Sequence, residues 1–244
     1  AGAAADPFQQ KERARTVATL QSAAIFSDLP SAAIEDLANR VTTYRTRGGA
    51  AVVAQGDCAS ALYVLMAGRV KIVRFGENGR EVTLSLLRPG EVFGEMSVFD
   101  SSIQSAHVVA IEPVTTLRLL REDFLSHLVT YPQTALAMLS EMSRRLRRAG
   151  DAIAELALCD VQDRLIRKLV LLANQDATEE SGGLLIRRRP TQQDLANMVG
   201  SCRETISRTF NQLARRGLIV PTGRSLLVTH ELLDGVRAQA KHAA

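Results

Sequence analysis

Tryptophan is absent from the 244 residues, and aromatic side chains of all kinds reach only 4%. Interiors must therefore be aliphatic, and with 46% of residues apolar there is enough Leu, Val, Ile, Met and Ala to build them. The length suits two compact units better than one. Cysteines are few: Cys58, Cys159 and Cys202, odd in number and far apart. Without a CxxC or Cys/His cluster, a zinc or iron–sulfur site is not expected, and a reduced, cytoplasmic protein is. The four histidines, His107, His127, His230 and His242, are too dispersed for a metal-dependent barrel enzyme, which gathers two or three of them around one ion. No enzymatic activity, metal or cofactor is expected. No apolar run reaches membrane-spanning length, and Ala1–Gln10 lacks the basic-then-apolar order of a signal peptide.

The net charge is +4, but it is unevenly spread. Between Arg187 and Arg224 stand eight arginines against two acids, Asp194 and Glu204. The rest of the chain is therefore slightly acidic. A positive field concentrated near one end points to a polyanionic partner.

Four segments follow from patterning. Residues 1–19 read as an Ala-rich, then charged tail. Within it Thr16 and Thr19, in the basic stretch KERARTVATL, are candidate sites for a Ser/Thr kinase. Residues 20–132 begin with short helical patterns, Ser31 serving as a cap. From Val41 the apolar period changes. Short β-prone runs at 51–54, 61–65, 69–74, 81–87, 105–111 and 115–120 are separated by Gly-rich turns, the signature of an antiparallel jelly roll. Residues 133–160 form one long helix. Leu139, Met142, Leu146, Ala149, Ile153 and Leu156 recur at gaps of three and four, with arginines on the flanks. That heptad seam predicts a dimer interface with a second copy. Residues 161–244 read as helix, polar loop (Asp176–Gly183), two short helices, hairpin and tail. The fold class is α+β.

The two short helices carry the chemistry. Thr191 and Asp194 have capping spacing, Leu195, Met198 and Val199 give an inner face, and Gly200 allows a tight turn. Ile206, Phe210 and Leu213 line the second helix. This is a winged helix-turn-helix, with 218–220 and 225–229 as the wing. Arg203, Glu204 and Arg208 lie off the apolar face at the N-terminal end, the part of a recognition helix that enters the major groove. An arginine can grip guanine O6 and N7, and a glutamate can accept from cytosine N4, so these three are the candidate base readers. Thr191, Thr205, Ser207 and Arg224 are candidate contacts to the DNA backbone.

The stretch TQQDLANMVGSCRETISRTFNQLARRGLI resembles the DNA-binding region of the CRP/FNR family of transcription regulators, with Ser201-Cys202 where Cys-Ser is more usual. GDCASALYVLMAGRVKIV, GREVTLSLLRPGEVFGEMSVF and LCDVQDRLIRKLVLLA look like that family's β-roll and dimer helix. The resemblance implies a homodimer on an inverted repeat of double-stranded DNA with a GTG-like core, half-sites about 34 Å apart. It also makes RNA polymerase a possible partner. Cyclic-nucleotide members hold their ligand at FGE and a following Arg-Ser-Ala. This chain keeps Phe93-Gly94-Glu95 but reads Gln104-Ser105-Ala106. Gly94, Glu95, Met96, Gln104 and Ser105 then form a vestigial effector pocket. From Pro89 to Leu117 there is no Lys or Arg and there are four acids, so a buried phosphodiester would lack a cation. By the same resemblance the adenine-contacting Thr-Ser pair falls on Ala149–Gly150. Regulation without cyclic AMP is expected; the alternative is a switch by another effector, such as a cyclic nucleotide, cyclic di-GMP or a small metabolite.

Overall fold

The structure, a computed structural model, describes residues 7–58, 61–100 and 102–242. Two compact units meet within one long helix, the first running to Arg147 and the second starting at Arg148.

In the first unit, α1 (Pro7–Ser22) and α2 (Ser31–Arg40) precede the strands. The expected loose tail is thus helical from Pro7 onward. Its inner side sets Val17 and Leu20 against Phe26, Ile34 and Leu37, which is what orders an otherwise polar sequence. Thr16 is 7% exposed on that same packed side, and the Thr19 hydroxyl donates to the Arg15 carbonyl. Pro30, not Ser31, stands at the N-cap of α2, where its fixed φ of −63° suits the entry.

Eight strands follow: β1 (Thr42–Thr46), β2 (Ala51–Val53), β3 (Ala61–Ala67), β4 (Val70–Phe75), β5 (Glu81–Leu87), β6 (Val92–Phe93), β7 (His107–Ala110) and β8 (Val114–Leu120). They make two antiparallel four-stranded sheets, ordered β1-β8-β3-β6 and β2-β7-β4-β5. All six strand-like runs of the sequence are strands. β1 and β6 went unread because β1 is a polar edge strand, Thr42 to Arg45 all exposed, and β6 has two residues. The period of two then decides the interior. Leu62, Val64, Leu117 and Leu119 face the helices with Phe124 and Met138. Leu65, Val70, Leu87, Phe93, Val108 and Val114 fill the space between the sheets.

After β8 come α4 (Arg121–Thr130) and α5 (Pro132–Leu158). At their junction the His127 ring is fully buried. Its Nδ1 lies 2.7 Å from Asp36 Oδ2 and its Nε2 3.0 Å from Thr134 Oγ1. A neutral ring that donates from Nδ1 to the carboxylate and accepts the threonine proton satisfies every partner. Arg40 also holds Asp36, at 2.9 Å, and lies 3.7 Å from Asp123. Burial holds the His127 pKa below the ordinary histidine value, against the opposing pull of Asp36. For Asp36, burial works upward, but hydrogen bonds from Arg40 and His127 outweigh it and lower its pKa. Both shifts have the same consequence. In each case the unfolded chain takes up the proton first as pH falls, below about 6.5 for the histidine and below about 3.9 for the aspartate. This unit is therefore expected to lose stability as pH drops through 6.5, with a further loss below 4. Thermal melting from pH 8 to 5 checks the first step: it should be steeper for the native chain than for His127→Gln, and equal slopes would refute it.

On α5, Leu139, Leu146 and Ile153 are 63%, 75% and 67% exposed, spaced by seven, and Leu156 and Ala149 are exposed beside them. Leu136 extends the exposed row at the helix start. Met142 departs from the expected seam: it is half-buried and packs on its own unit next to Met138.

The second unit holds α6 (Val161–Asp176), β9 (Thr178–Glu180), β10 (Gly183–Ile186), α7 (Gln192–Val199), α8 (Arg203–Arg215), β11 (Ile219–Thr222), β12 (Ser225–Thr229) and α9 (His230–His242). Its sheet is ordered β11-β12-β10-β9, so the expected loop at Asp176–Gly183 contains a strand of a wider sheet, and the expected C-terminal tail is helical. Asp160 caps α6 by accepting from the Asp163 N–H at 2.8 Å. From α6, Arg164 donates to Cys159 O at 2.7 Å and Val199 O at 3.0 Å, placing one cation at the ends of two helices where carbonyls are otherwise unpaired. Among the described residues no helix is long and apolar enough to cross a membrane.

Candidate nucleic-acid interface and the cavity of the β-roll

The capping residues at Thr191 and Asp194 lock the start of α7 from both sides. The Thr191 hydroxyl accepts from the Asp194 N–H at 3.1 Å, and the Asp194 carboxylate accepts from the Thr191 N–H at 2.9 Å. The same hydroxyl donates to Asp194 Oδ2 at 2.6 Å, so Thr191 serves α7 first, with its hydroxyl proton already committed. Gly200 ends α7 in the left-handed region, φ +66°, and its N–H and that of Ser201 both turn back to the Ala196 carbonyl. A side chain there would also press within 3.3 Å of Leu156 Cδ2. This is the tight turn the two-helix motif requires.

α8 then buries Ile206, Thr209, Phe210 and Leu213. That face fixes what the other side presents: Arg203, Glu204 and Arg208 are exposed, with Ser207 half-buried between them. These four and Gln192 line a cleft of about 340 Å³. A second hollow, about 650 Å³, is lined by Arg188, Arg189, Thr191, Gln192, Arg203 and, from the wing turn, Arg224, among others. Gln192 and Arg203 line both, so the two hollows join into one basic trough that carries all three expected base readers. Thr205, the other expected backbone contact, lines neither hollow; it is half-buried, with its hydroxyl 3.1 Å from Cys202 Sγ. Arg188, Arg189 and Gln192 were not singled out from the sequence. The triple arginine was visible as charge, but only the turn before α7 shows that it faces the trough. Arg189 is held there by its N–H to the Arg224 carbonyl, 2.9 Å, and by its guanidinium 5.7 Å above the Phe210 ring. Glu204 is kept ionised by hydrogen bonds, first from its own backbone N–H at the open start of α8 and then from Cys202, which hold its pKa below the ordinary value. An ionised, exposed glutamate amid arginines is a hydrogen-bond acceptor ready for a base amino group.

In the β-roll, the Phe93-Gly94-Glu95 turn leads into the short helix α3 (Glu95–Asp100). Gly94 has φ +84°, and a Cβ would stand 2.8 Å from the Ala61 carbonyl, so only glycine lets the turn lie this close to β3. The turn closes one side of a cavity of about 210 Å³ that gathers all five expected pocket residues, Gly94, Glu95, Met96, Gln104 and Ser105. Gln104 is buried at the position where a cation was missed in the sequence. The cavity is nevertheless not free of positive charge. Arg145, from α5, reaches its wall. It donates to Glu95 Oε1 at 2.6 Å, to Val92 O at 2.7 Å and to Glu141 Oε1 at 2.9 Å. Scanning residues 89–117 could not reveal it, since it lies fifty positions from Glu95 and reads as one of four arginines flanking the seam. The pair Ala149–Gly150 is exposed on α5 and does not line the cavity.

A β-roll with a small internal cavity, followed by a winged helix-turn-helix with a basic trough, defines a DNA-binding regulator whose first domain is of the ligand-sensing type. Residues 45–131 match the cyclic nucleotide-binding domain and residues 163–233 the Crp-like helix-turn-helix domain. The chain is 32% identical over 210 residues to the CRP-like cAMP-activated global transcriptional regulator of Mycobacterium tuberculosis, covering 86% of this chain and 94% of that one. It is 36% identical over 171 residues to the cyclic AMP receptor protein of Thermus thermophilus, covering 70% and 76%. Among solved structures, the c-di-GMP responsive global regulator CLP of Xanthomonas campestris superposes with a TM-score of 0.74 at 26% identity, covering 82% of this chain and 99% of that one. The chain belongs to the CRP/FNR family: it is a DNA-binding transcription regulator.

Proposed function

We propose that this regulator binds an inverted-repeat operator as a homodimer, one α8 in each of two successive major grooves, and that it does so without cyclic AMP. The observation that carries the second part is the state of the cavity. Gln104 brings hydrogen bonds but no charge, and Arg145 is already held between Glu95 and Glu141. A cyclic phosphodiester entering there would give up water and meet no uncommitted cation, a costly exchange. The exposed row Leu139, Leu146 and Ile153 supports pairing through α5. The relatives named for cyclic AMP match across this domain; the reading rests on the side chains of this chain's own cavity. A gel shift on a palindromic duplex with GTG half-sites should give the full complex from the apo protein, unchanged on adding cyclic AMP. A complex formed only with cyclic AMP would overturn this reading.

A second reading, control by a different effector, is favoured by the persistence of the cavity itself. Contact with RNA polymerase remains a further proposal. A kinase acting on α1 would have Thr19 rather than the buried Thr16 as its substrate.

A further inference from the structure

The cavity behind Gly94 names the kind of molecule it suits. This step rests on reading the β-roll as the effector domain. Its walls are mostly apolar, with Ile72, Leu84, Phe93, Met96, Ile103 and Val108 among the lining residues. Leu84, Met96 and Ile103 are 56%, 58% and 61% exposed, an unusual amount of large apolar surface around one opening. The charges of the wall are paired: Arg145 holds Glu95, and outside the lining it shares Glu141 with Arg144. Arg145 is the one cation among the described residues of the lining, and three of its bonds are already made. One polar group is left over. Glu95 is 4% exposed, and its Oε2 has no hydrogen-bond partner. A buried acceptor without a donor is uncommon and costly, and it sits in the residue that lines the hollow.

We infer that the cavity takes a small, uncharged, largely apolar molecule carrying one hydrogen-bond donor, such as a hydroxyl, which it presents to Glu95 Oε2. The apolar body covers Leu84, Met96 and Ile103. An anion is rejected because it would face the unpaired carboxylate oxygen with no spare cation beside it. The volume of about 210 Å³ is below the usual range for drug-sized ligands and fits a single ring with a short substituent.

Three probes of one shape separate the elements of this inference: p-cresol, neutral with a donor; toluene, neutral without one; and 4-methylbenzoate, an anion. Titration calorimetry on the full chain should show saturable p-cresol binding. Toluene and 4-methylbenzoate should each bind about tenfold more weakly or less, as expected for one lost charge-assisted hydrogen bond or an unpaired buried charge. Gln104→Arg should invert the order, admitting 4-methylbenzoate in preference to p-cresol. Equal binding of toluene would overturn the role of Glu95; equal binding of 4-methylbenzoate, or no saturation by any neutral probe, would overturn the ligand class. The gel shift of apo protein on its operator tests the regulator reading separately, because it does not depend on any probe entering the cavity.

Discussion

Leu146→Asp is expected to leave a folded monomer that has lost at least a hundredfold in operator affinity. Leu146 is 75% exposed in the single chain and lies midway between Leu139 and Ile153 in a strict repeat of seven. A helix that exposes large aliphatic side chains at this spacing, with Arg144, Arg147 and Arg148 beside them, is suited to bury them against another helix of the same kind. Covering one leucine contributes about 1.5–3 kcal/mol, and two-fold symmetry counts each position twice. An aspartate there faces its own copy across the seam, adding like-charge repulsion to lost burial. Joining two half-site readers makes the second contact intramolecular, which raises affinity about 10²–10⁴-fold without any new contact to DNA. That gain vanishes with the dimer. Because Leu146 contributes nothing to either unit's core, circular dichroism and melting of the monomer should stay close to native, and Leu146→Met should remain dimeric. Light scattering and a gel shift measure both effects. A Leu146→Asp protein that stays dimeric, or binds the operator undiminished, would show that the pairing surface lies elsewhere.

How much of this was legible in the sequence differs from element to element. The interior strand at 61–65 was readable because burial on both faces forces an apolar run, and the edge strand at 81–87 because its apolar residues stand between turn residues. The edge strand β1, Thr-Thr-Tyr-Arg-Thr, carries no such mark; only its ladder with β8 makes it a strand, from Thr42 opposite Arg118 to Thr46 opposite Val114. β9 escaped for a similar reason, since DATEESGG has loop composition and its strand is ordered by pairing with β10, itself paired with β12; β10, Gly183–Ile186, is only four residues long. Of the expected seam, Leu139, Leu146 and Ile153 are exposed, as a pairing face requires, whereas Met142 packs into its own unit. A gap of three or four fits either side of a helix whose opposite face also packs, and the core took that methionine. The exposed side of α8, with Arg203, Glu204 and Arg208 on it, was legible because its position follows from the apolar face of a single helix. The cavity was only half legible. Its glycine turn and Gln104 lie within eleven residues of one another, whereas Arg145 comes from another element, and no local spacing reports a pair fifty residues apart.

The trough makes Arg203 the residue whose loss should most change what the protein recognises. It is the first residue of α8, exposed, and shared by both hollows of the basic surface. From there a guanidinium can reach guanine O6 and N7 as a bidentate pair, worth about 1–3 kcal/mol of discrimination per half-site. Arg203→Ala should therefore weaken operator binding about tenfold to a hundredfold per half-site and relax the preference at one base pair, while binding to unrelated DNA falls little. Arg224 is the counter-case. It comes from the wing turn after Gly223, not from the recognition helix, although it lines the same hollow as Arg203, and its expected role is a contact to a phosphate rather than to a base edge. Arg224→Ala should lower affinity for all sequences alike and reduce the salt slope by about one. Lysine at 203 should not restore recognition fully, because a point charge cannot form the planar two-bond grip. Selection from a random duplex pool, run at two salt concentrations on each variant, distinguishes the two roles. If Arg203→Ala lost affinity uniformly and kept its sequence preference, Arg203 would be a phosphate contact, and base reading would rest on Glu204 and Arg208 alone.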